Sequence, residues 1–502
     1  MIEALVSSLL NVFTYPTFPF LLIGILIGFV IGILPGIGGL VTLALMLPFT
    51  FGMKPVAAFA FLLGMLSVTA TTGDLTSILF GIPGESITAA TIVDGHPMAK
   101  KGEAGRAMAA ALMSSLLGAI TGAIVLAASI PVVVPLVLTF KSPEFFALAL
   151  VGITFVVSLS GKSKLKGMLS AGLGFVLAMV GLDPQSGMPR YTMGIPQLWD
   201  GVGLVPVTVG LFAIPEVVDL WVKGTSIAER GSESLRGVWQ GVKDTFIYWG
   251  ITLRCSMIGT FIGIIPGLGA GVSQWVAYAH AVQSSADKSR FGMGDVRGVL
   301  GPGAANNSSL GGALIPTIAF GVPGSPTMAI LLGAFLIQGL VPGPDMLTKH
   351  LDLTFAFVWL IVISNLITVA LCFLFLNQLA KITCVRGALL IPGILLLVLL
   401  GGYAESKSIL DMGITLLFGF IGLLMVYLDW PRPPLILGLV LGKLVERNFF
   451  ISYQLHGSGF LFRPMVIVIL LIGVAALFLP VLQAFLSKRL GLKEEVFVSK
   501  ED

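Results

Sequence analysis

Glycine and proline give the first chemical signal in this chain. The segment Gly28-x3-Gly32-x2-Pro35-Gly36-x-Gly38 recurs as Gly259-x3-Gly263-x2-Pro266-Gly267-x-Gly269, each copy inside an apolar stretch. A Pro-Gly break frees backbone N–H and C=O groups that find no partner in hydrocarbon, so such a break has to line a cavity. Further along each half a second break recurs, Gly81-Ile82-Pro83-Gly84 and Gly321-Val322-Pro323-Gly324. Polar residues crowd both. Thr69, Thr71, Thr72, Asp74, Thr76 and Ser77 precede the first and Glu85, Ser86 and Thr88 follow it; Asn306, Asn307, Ser308 and Ser309 precede the second, with Ser325 and Thr327 after it. Polar groups at membrane depth are costly unless they face a water- or solute-filled space.

An unwound glycine turn entering a half-helix presents unpaired N–H groups backed by the positive end of the helix dipole. Four such turns would make a receptor for a carboxylate-bearing solute. Its candidate backbone is Pro35, Gly36, Gly38, Gly39, Gly73, Pro83, Gly84, Pro266, Gly267, Gly269, Pro323 and Gly324, supplemented by the side chains of Thr72, Thr76, Ser77, Ser86, Thr88, Asn306, Asn307, Ser308, Ser309, Ser325 and Thr327. Carbonyls released by the unwinding can coordinate Na⁺ or accept from a protonated group. The coupling ion is therefore read as Na⁺ or H⁺, with Na⁺ near the turns and its ligands unassigned. Asp74 and Glu85 are the coupling candidates; capping of neighbouring helices is the alternative for both. Asp94 reads as closing a loop, and His280 as a packed or interfacial histidine. No zinc-protease, nucleophile-elbow or phosphate-loop motif occurs, so neither an enzyme nor an ATP-driven pump is expected, and no cofactor.

The elements that must hold these turns are hydrophobic helices. The chain has 502 residues, 56% hydrophobic and only 11% charged, with mean hydropathy +1.00. A soluble domain carries about a quarter charged residues. The composition predicts an all-α polytopic membrane protein in a lipid bilayer, and a net charge of +4 spread over short loops offers nothing to a nucleic acid. Apolar stretches at 18–34, 107–139, 143–160, 167–182, 201–222, 246–265, 352–380, 387–402, 408–428 and 464–486 are each near a crossing length, giving about ten to twelve transmembrane helices with the broken segments counted. Residues 1–10 carry Glu3 and no Lys or Arg, unlike a cleaved signal peptide. Cys255, Cys372 and Cys384 read as buried small hydrophobes.

Matching residues gather on Gly and Pro, which control backbone shape, so two structural repeats are expected: a first half over 1–222 with core motifs 28–95, a cytoplasmic connecting loop 223–245, a second half over 246–487 with core motifs 259–344, and a cytoplasmic tail 488–502. Gly28, Gly32, Gly118 and Gly122 read as small-residue helix contacts. Basic loops at Lys100–Arg106, Lys162–Lys166 and Lys223–Lys243 lie on the cytoplasmic side if the intervening helices form hairpins. The second repeat would then enter from the cytoplasm and the first from outside, as inverted repeats. The loop with Lys288, Arg290 and Arg297 is not placed by this counting.

The residues resemble the TctA family, the large membrane subunit of tripartite tricarboxylate transporters. The likeness lies in Gly32-Ile-Leu-Pro-Gly-Ile-Gly38, in the run from Ile82-Pro-Gly-Glu-Ser through Asp94-Gly-His-Pro to Arg106, and in Ala305-Asn-Asn-Ser-Ser-Leu-Gly-Gly-Ala-Leu-Ile-Pro316 followed by Phe320-Gly-Val-Pro-Gly-Ser-Pro326. It covers roughly residues 18 to 430. The resemblance implies an importer of di- or tricarboxylates in a prokaryotic cytoplasmic (inner) membrane, driven by an ion gradient. It also implies two partners, an extracytoplasmic (periplasmic) solute-binding protein and a small membrane subunit. Two departures stand out: Thr71-Thr-Gly-Asp74 where the family tends to show Tyr-Gly-Gly-Ser, and Gly303 where it often has glutamate. A carrier of the same architecture for another solute, or a membrane enzyme or scaffold, are the alternatives.

Overall fold

Two helices buried on every side form the centre of the molecule, and each ends in a left-handed glycine. The computed structural model of the chain describes residues 1–32, 38–158, 163–223, 236–266, 268–376, 378 and 391–475. Pro35, Gly36, Gly267, Cys384 and the tail 488–502 lie outside them. In chain order the helices are α1 (Ile2–Val12), α2 (Thr17–Gly32), α3 (Gly39–Met46), α4 (Pro55–Phe80), α5 (Ala89–Met98), α6 (Ala104–Thr139), α7 (Ser142–Ser158), α8 (Lys164–Ala178) and α9 (Leu204–Lys223), with a two-residue β-hairpin, Gly181–Leu182 against Pro189–Arg190, between α8 and α9. There follow α10 (Val238–Ile247), α11 (Trp249–Ile264), α12 (Gly269–Ser284), α13 (Arg297–Phe320), α14 (Pro326–Ile337), α15 (Pro344–Thr348), α16 (Leu351–Leu374), α17 (Ile391–Ala404), α18 (Ile409–Tyr427), α19 (Pro433–His456) and α20 (Pro464–Ala475).

The protein is all-α and polytopic. Among the described residues four helices are long and apolar enough to cross a bilayer, and three pairs bent by 67°, 77° and 69° bring the number to seven. Other expected crossings fall on apolar helices whose described parts are shorter, including 142–154 and 391–404, each bordering residues outside those described.

The central pair is α4 and α13. Every residue of α4 from Ala57 to Leu79 is buried, and α13 is buried from Gly298 to Ala319 except Leu310. A helix enclosed all round can carry Thr, Asp and Asn because protein, not lipid, surrounds them. Around this pair pack α2 on α4, α11 on α13, α6 on α13 and α16 on α4. The packing depends on missing side chains: Gly28 abuts the Met65 carbonyl, Gly118 the Ala304 carbonyl, and Gly122 Ser308. A peripheral layer joins α7 and α8 to α19, and α17 and α18 to α9.

Corresponding glycines meet corresponding partners in the two halves. Gly28 and Gly32 face Met65 and Thr69, as Gly259 and Gly263 face Ala305 and Ser309; Gly84 sits on Gly73 as Gly324 sits on Ala313. The helix ends match as well. Gly81 (φ 66°, ψ 17°) and Gly321 (φ 66°, ψ 20°) take the left-handed conformation that stops α4 and α13, a geometry glycine adopts without steric cost.

The loop 285–296 that charge counting left open is anchored to the basic loop after α5. The Lys101 ammonium donates to the Met293 carbonyl at 2.5 Å. Asp94 accepts from the Gly294 and Asp295 N–H groups at 2.8 and 2.9 Å and from the Tyr278 hydroxyl at 3.0 Å. Asp94 therefore does close a loop, but one in the other half, and it does so from within α5. Arg106 adds α10 to the same face through Asp244, Nε to Oδ2 at 2.6 Å.

Candidate functional site

The break after α4 turns the chain back so that Glu85 reaches α3. The Gly39 N–H at the first turn of α3 donates to Glu85 Oε1 at 2.7 Å, a bond at the positive end of a helix. Glu85 caps α3, 46 residues upstream, and is also the N-cap residue of the 3₁₀ turn Ser86–Thr88 that follows it. Sequence matching pairs Glu85 with Ser325 and Gly38 with Gly269, and the contacts agree: Gly38 lies against Glu85, and Gly269 against Ser325. The first half thus carries its own carboxylate at this point, whereas the second half carries a hydroxyl.

A cavity of about 250 Å³ opens between the halves, lined by residues from all four turn regions. Leu40 comes from the start of α3, Glu85 and Ile87 from the break after α4, Leu268 to Gly271 from the start of α12, and Ser325 to Met328 from the start of α14. Leu66 and Ala70 of α4 and Asn306, Asn307, Ser309, Leu310 and Ala313 of α13 complete the wall. Two helices aim their N-termini here, and Ser325 Oγ accepts the Met328 N–H at 3.2 Å. The second half offers N–H and O–H donors together with the amides of Asn306 and Asn307, and the first half offers the Glu85 carboxyl.

Behind the wall is a polar network at full burial. Asp74 accepts from Thr91 Oγ1 at 2.7 Å and from Asn306 Nδ2 at 3.0 Å. It sits mid-helix in α4 and caps nothing. Asn306 Nδ2 also donates to the Ala70 carbonyl at 2.9 Å. Asn307 Nδ2 shares its two hydrogens among Thr71 Oγ1, Ser115 Oγ and Asn365 Oδ1, at 2.6, 2.8 and 2.7 Å. The network therefore joins α4, α5, α6, α13 and α16.

Of the residues singled out by sequence, Glu85, Gly269, Asn306, Asn307, Ser309, Ser325 and Thr327 line the cavity. Gly38 and Gly39 lie against Glu85 at its edge. The others take packing positions. Thr72 Oγ1 donates to the Val68 carbonyl at 2.9 Å beneath Gly32. Ser77 and Thr88 pair at 2.8 Å, and Thr88 crowds Gly73. Thr76 lies buried on α4 facing Gly84. Ser308 Oγ donates to the Ala305 carbonyl at 3.3 Å. Pro83, Pro266, Pro323 and Gly324 shape the breaks outside the cavity wall, and Ser86 opens the short 3₁₀ turn Ser86–Thr88. At Gly303, where the family often has glutamate, an added Cβ would lie 2.5 Å from Ser114 Oγ, so a side chain there requires that hydroxyl to move. Sequence reasoning missed Asn365, Ser115 and Thr91. Asn365 was open to detection as the one amide in the apolar run of α16, where a polar residue is a functional candidate by default.

The chain matches the tripartite tricarboxylate transporter TctA family over residues 18–437. It is 32% identical over 482 residues to an uncharacterized 52.8 kDa protein of the TAR-I ttuC' 3' region of Agrobacterium vitis, with 95% of each chain covered. A protein of the TAR-II ttuC' 3' region of the same organism is 29% identical over 246 residues, which is 48% of this chain and 100% of that one. No solved structure matches. With a family match running from α2 into α19, this chain belongs to the TctA family of tripartite tricarboxylate transporters.

Proposed function

We propose that this membrane protein is the carrier of a secondary-active importer, moving di- or tricarboxylates across a prokaryotic inner membrane on a Na⁺ or H⁺ gradient. The observation that carries the reading is the meeting of all four turns at one cavity. The N-termini of α12 and α14 face it with no carboxylate of their own, in contrast to α3, whose N-terminus Glu85 occupies. A solute carboxylate is therefore assigned to Gly269–Gly271, with the Ser325 and Thr327 hydroxyls as further donors. Family membership supports delivery by an extracytoplasmic solute-binding protein and assembly with a small membrane subunit.

The matching contacts of the two halves support an internal duplication, with halves over 1–222 and 246–487. Inversion of the repeats is supported by the basic loops that meet on one face, which the positive-inside rule makes cytoplasmic.

The test is uptake of radiolabelled carboxylates into proteoliposomes holding the full complex, under imposed Na⁺ or pH gradients. Gly271 lines the cavity and a Cβ added there would lie 3.7 Å from Ile87, so Gly271→Leu fills the space and should abolish uptake while the protein still inserts. Undiminished uptake by that variant would exclude the cavity as the transport site.

A further inference from the structure

Three buried oxygens at the cavity wall have no hydrogen-bond partner: Glu85 Oε2, Asn306 Oδ1 and Asn307 Oδ1. The amide orientations are fixed by what surrounds them. Asn365 donates its Nδ2 to the Ile361 carbonyl at 2.9 Å, so its Oδ1 can only accept, and it accepts from Asn307 Nδ2. Asn306 Nδ2 is held by a carbonyl and a carboxylate oxygen. Flipping either amide would set oxygen against oxygen. Glu85 uses Oε1 on the Gly39 N–H, leaving Oε2 free.

Asn306 and Asn307 are 2% and 1% exposed, and unpaired buried acceptors are costly. Three of them beside one cavity call for an occupant that accepts electron pairs. We propose that Glu85 Oε2, Asn306 Oδ1 and Asn307 Oδ1 are ligands of a Na⁺ site in the cavity wall. Oxygen-only ligands suit a hard cation, and a single ligand carboxylate suits a monovalent one, since divalent sites gather more carboxylates or several waters. Asp74 is not among the residues that line the cavity, but its position behind Asn306, which donates to it, makes the region favourable to positive charge. The site deepens the transport reading by placing a cation beside the solute's carboxylate, yet it is measurable without transport.

The experiment is equilibrium binding of ²²Na⁺ to the purified full-length protein in nanodiscs, with no carboxylate solute present. Saturable binding displaced by unlabelled Na⁺, but not by K⁺ or choline, is expected. Glu85→Gln keeps an acceptor for Gly39 while removing the one ligand charge, and should raise half-saturation at least about tenfold; Asn307→Ala should do the same. Absence of saturable binding by monodisperse wild-type protein, wild-type binding in both variants, or displacement by Ca²⁺ in preference to Na⁺ would each overturn the site. Should a variant misfold, the wild-type isotherm and its ion selectivity decide. Na⁺ binding without uptake of any solute would uphold the site and defeat the transport reading; uptake on a proton gradient with no Na⁺ binding would do the reverse.

Discussion

Placing a carboxylate at position 325 should block the second half of the cavity from within. Ser325 stands where Glu85 stands in the first half, against Gly269 as Glu85 is against Gly38. In Ser325→Glu the new side chain can take the N–H groups assigned to the solute, as Glu85 takes that of Gly39 at 2.7 Å. A hydrogen bond to a charged group is worth roughly 1.5–3 kcal/mol net, and each ~1.4 kcal/mol is tenfold. A solute carboxylate that must displace the tethered one should thus need roughly ten to a hundred times the concentration for half-maximal uptake. Ser325→Ala is the contrast. It loses only the cap on Met328 N–H, about 1 kcal/mol of helix stability, and leaves the N-termini open. Uptake and solute-induced thermal stabilisation, measured on both variants in the same lipid, separate occupation from damage. If Ser325→Glu is monodisperse and saturates within about twofold of wild type, less than 0.5 kcal/mol, the carboxylate is not held at this pole.

Asp74→Asn removes the carboxylate that accepts from Thr91 and Asn306, and should lower the thermal midpoint by the equivalent of roughly 1–3 kcal/mol; unchanged Na⁺ and pH profiles of uptake would remove it from coupling. Gly312→Leu drives a side chain into the Thr260 backbone, whereas Gly413 has nothing nearby. The first should yield aggregated protein on extraction and Gly413→Leu should not, as size-exclusion chromatography will show. Burial pushes the Asp295 carboxyl up, but Arg297, bonded to both its oxygens at 3.0 and 2.6 Å, outweighs this and holds it below the ordinary range. A depressed folded pKa means stabilisation present in full above the unfolded value near ~3.9 and lost as pH falls through the folded one. In Arg297→Gln, pepsin should therefore cut loop 285–296 at a higher pH than in wild type; equal cleavage profiles would contradict the assignment.

Helix positions were legible because apolar run length depends on bilayer thickness: the run 408–428 is α18 at Ile409–Tyr427, and 107–139 ends with α6 at Thr139. The breaks were legible because glycine and proline act locally. The roles of the polar residues were not. Thr72, Ser77 and Ser308 bond carbonyls of their own helices, an option open to any hydroxyl within a helix, so composition alone cannot separate them from Ser309 and Ser325 at the wall. The Glu85 bond to Gly39 depends on a fold-back across two helices, and the Asp94 anchor on loop 285–296 crosses between halves. Long-range pairings of this kind leave no periodicity to read.

The packing of α6 on α13 and of α16 on α4 has a mechanical consequence. Each half lends a long helix to the other's centre, so the halves are clasped, and Asn307 is held by Thr71 and Ser115 from one and Asn365 from the other. Pulling them apart as two blocks would tear both grips together. If the cavity opens to alternate sides of the membrane, as the proposed carrier function requires, the motion would fall to the other helices that reach it, α3, α12 and α14, while the clasp stays shut.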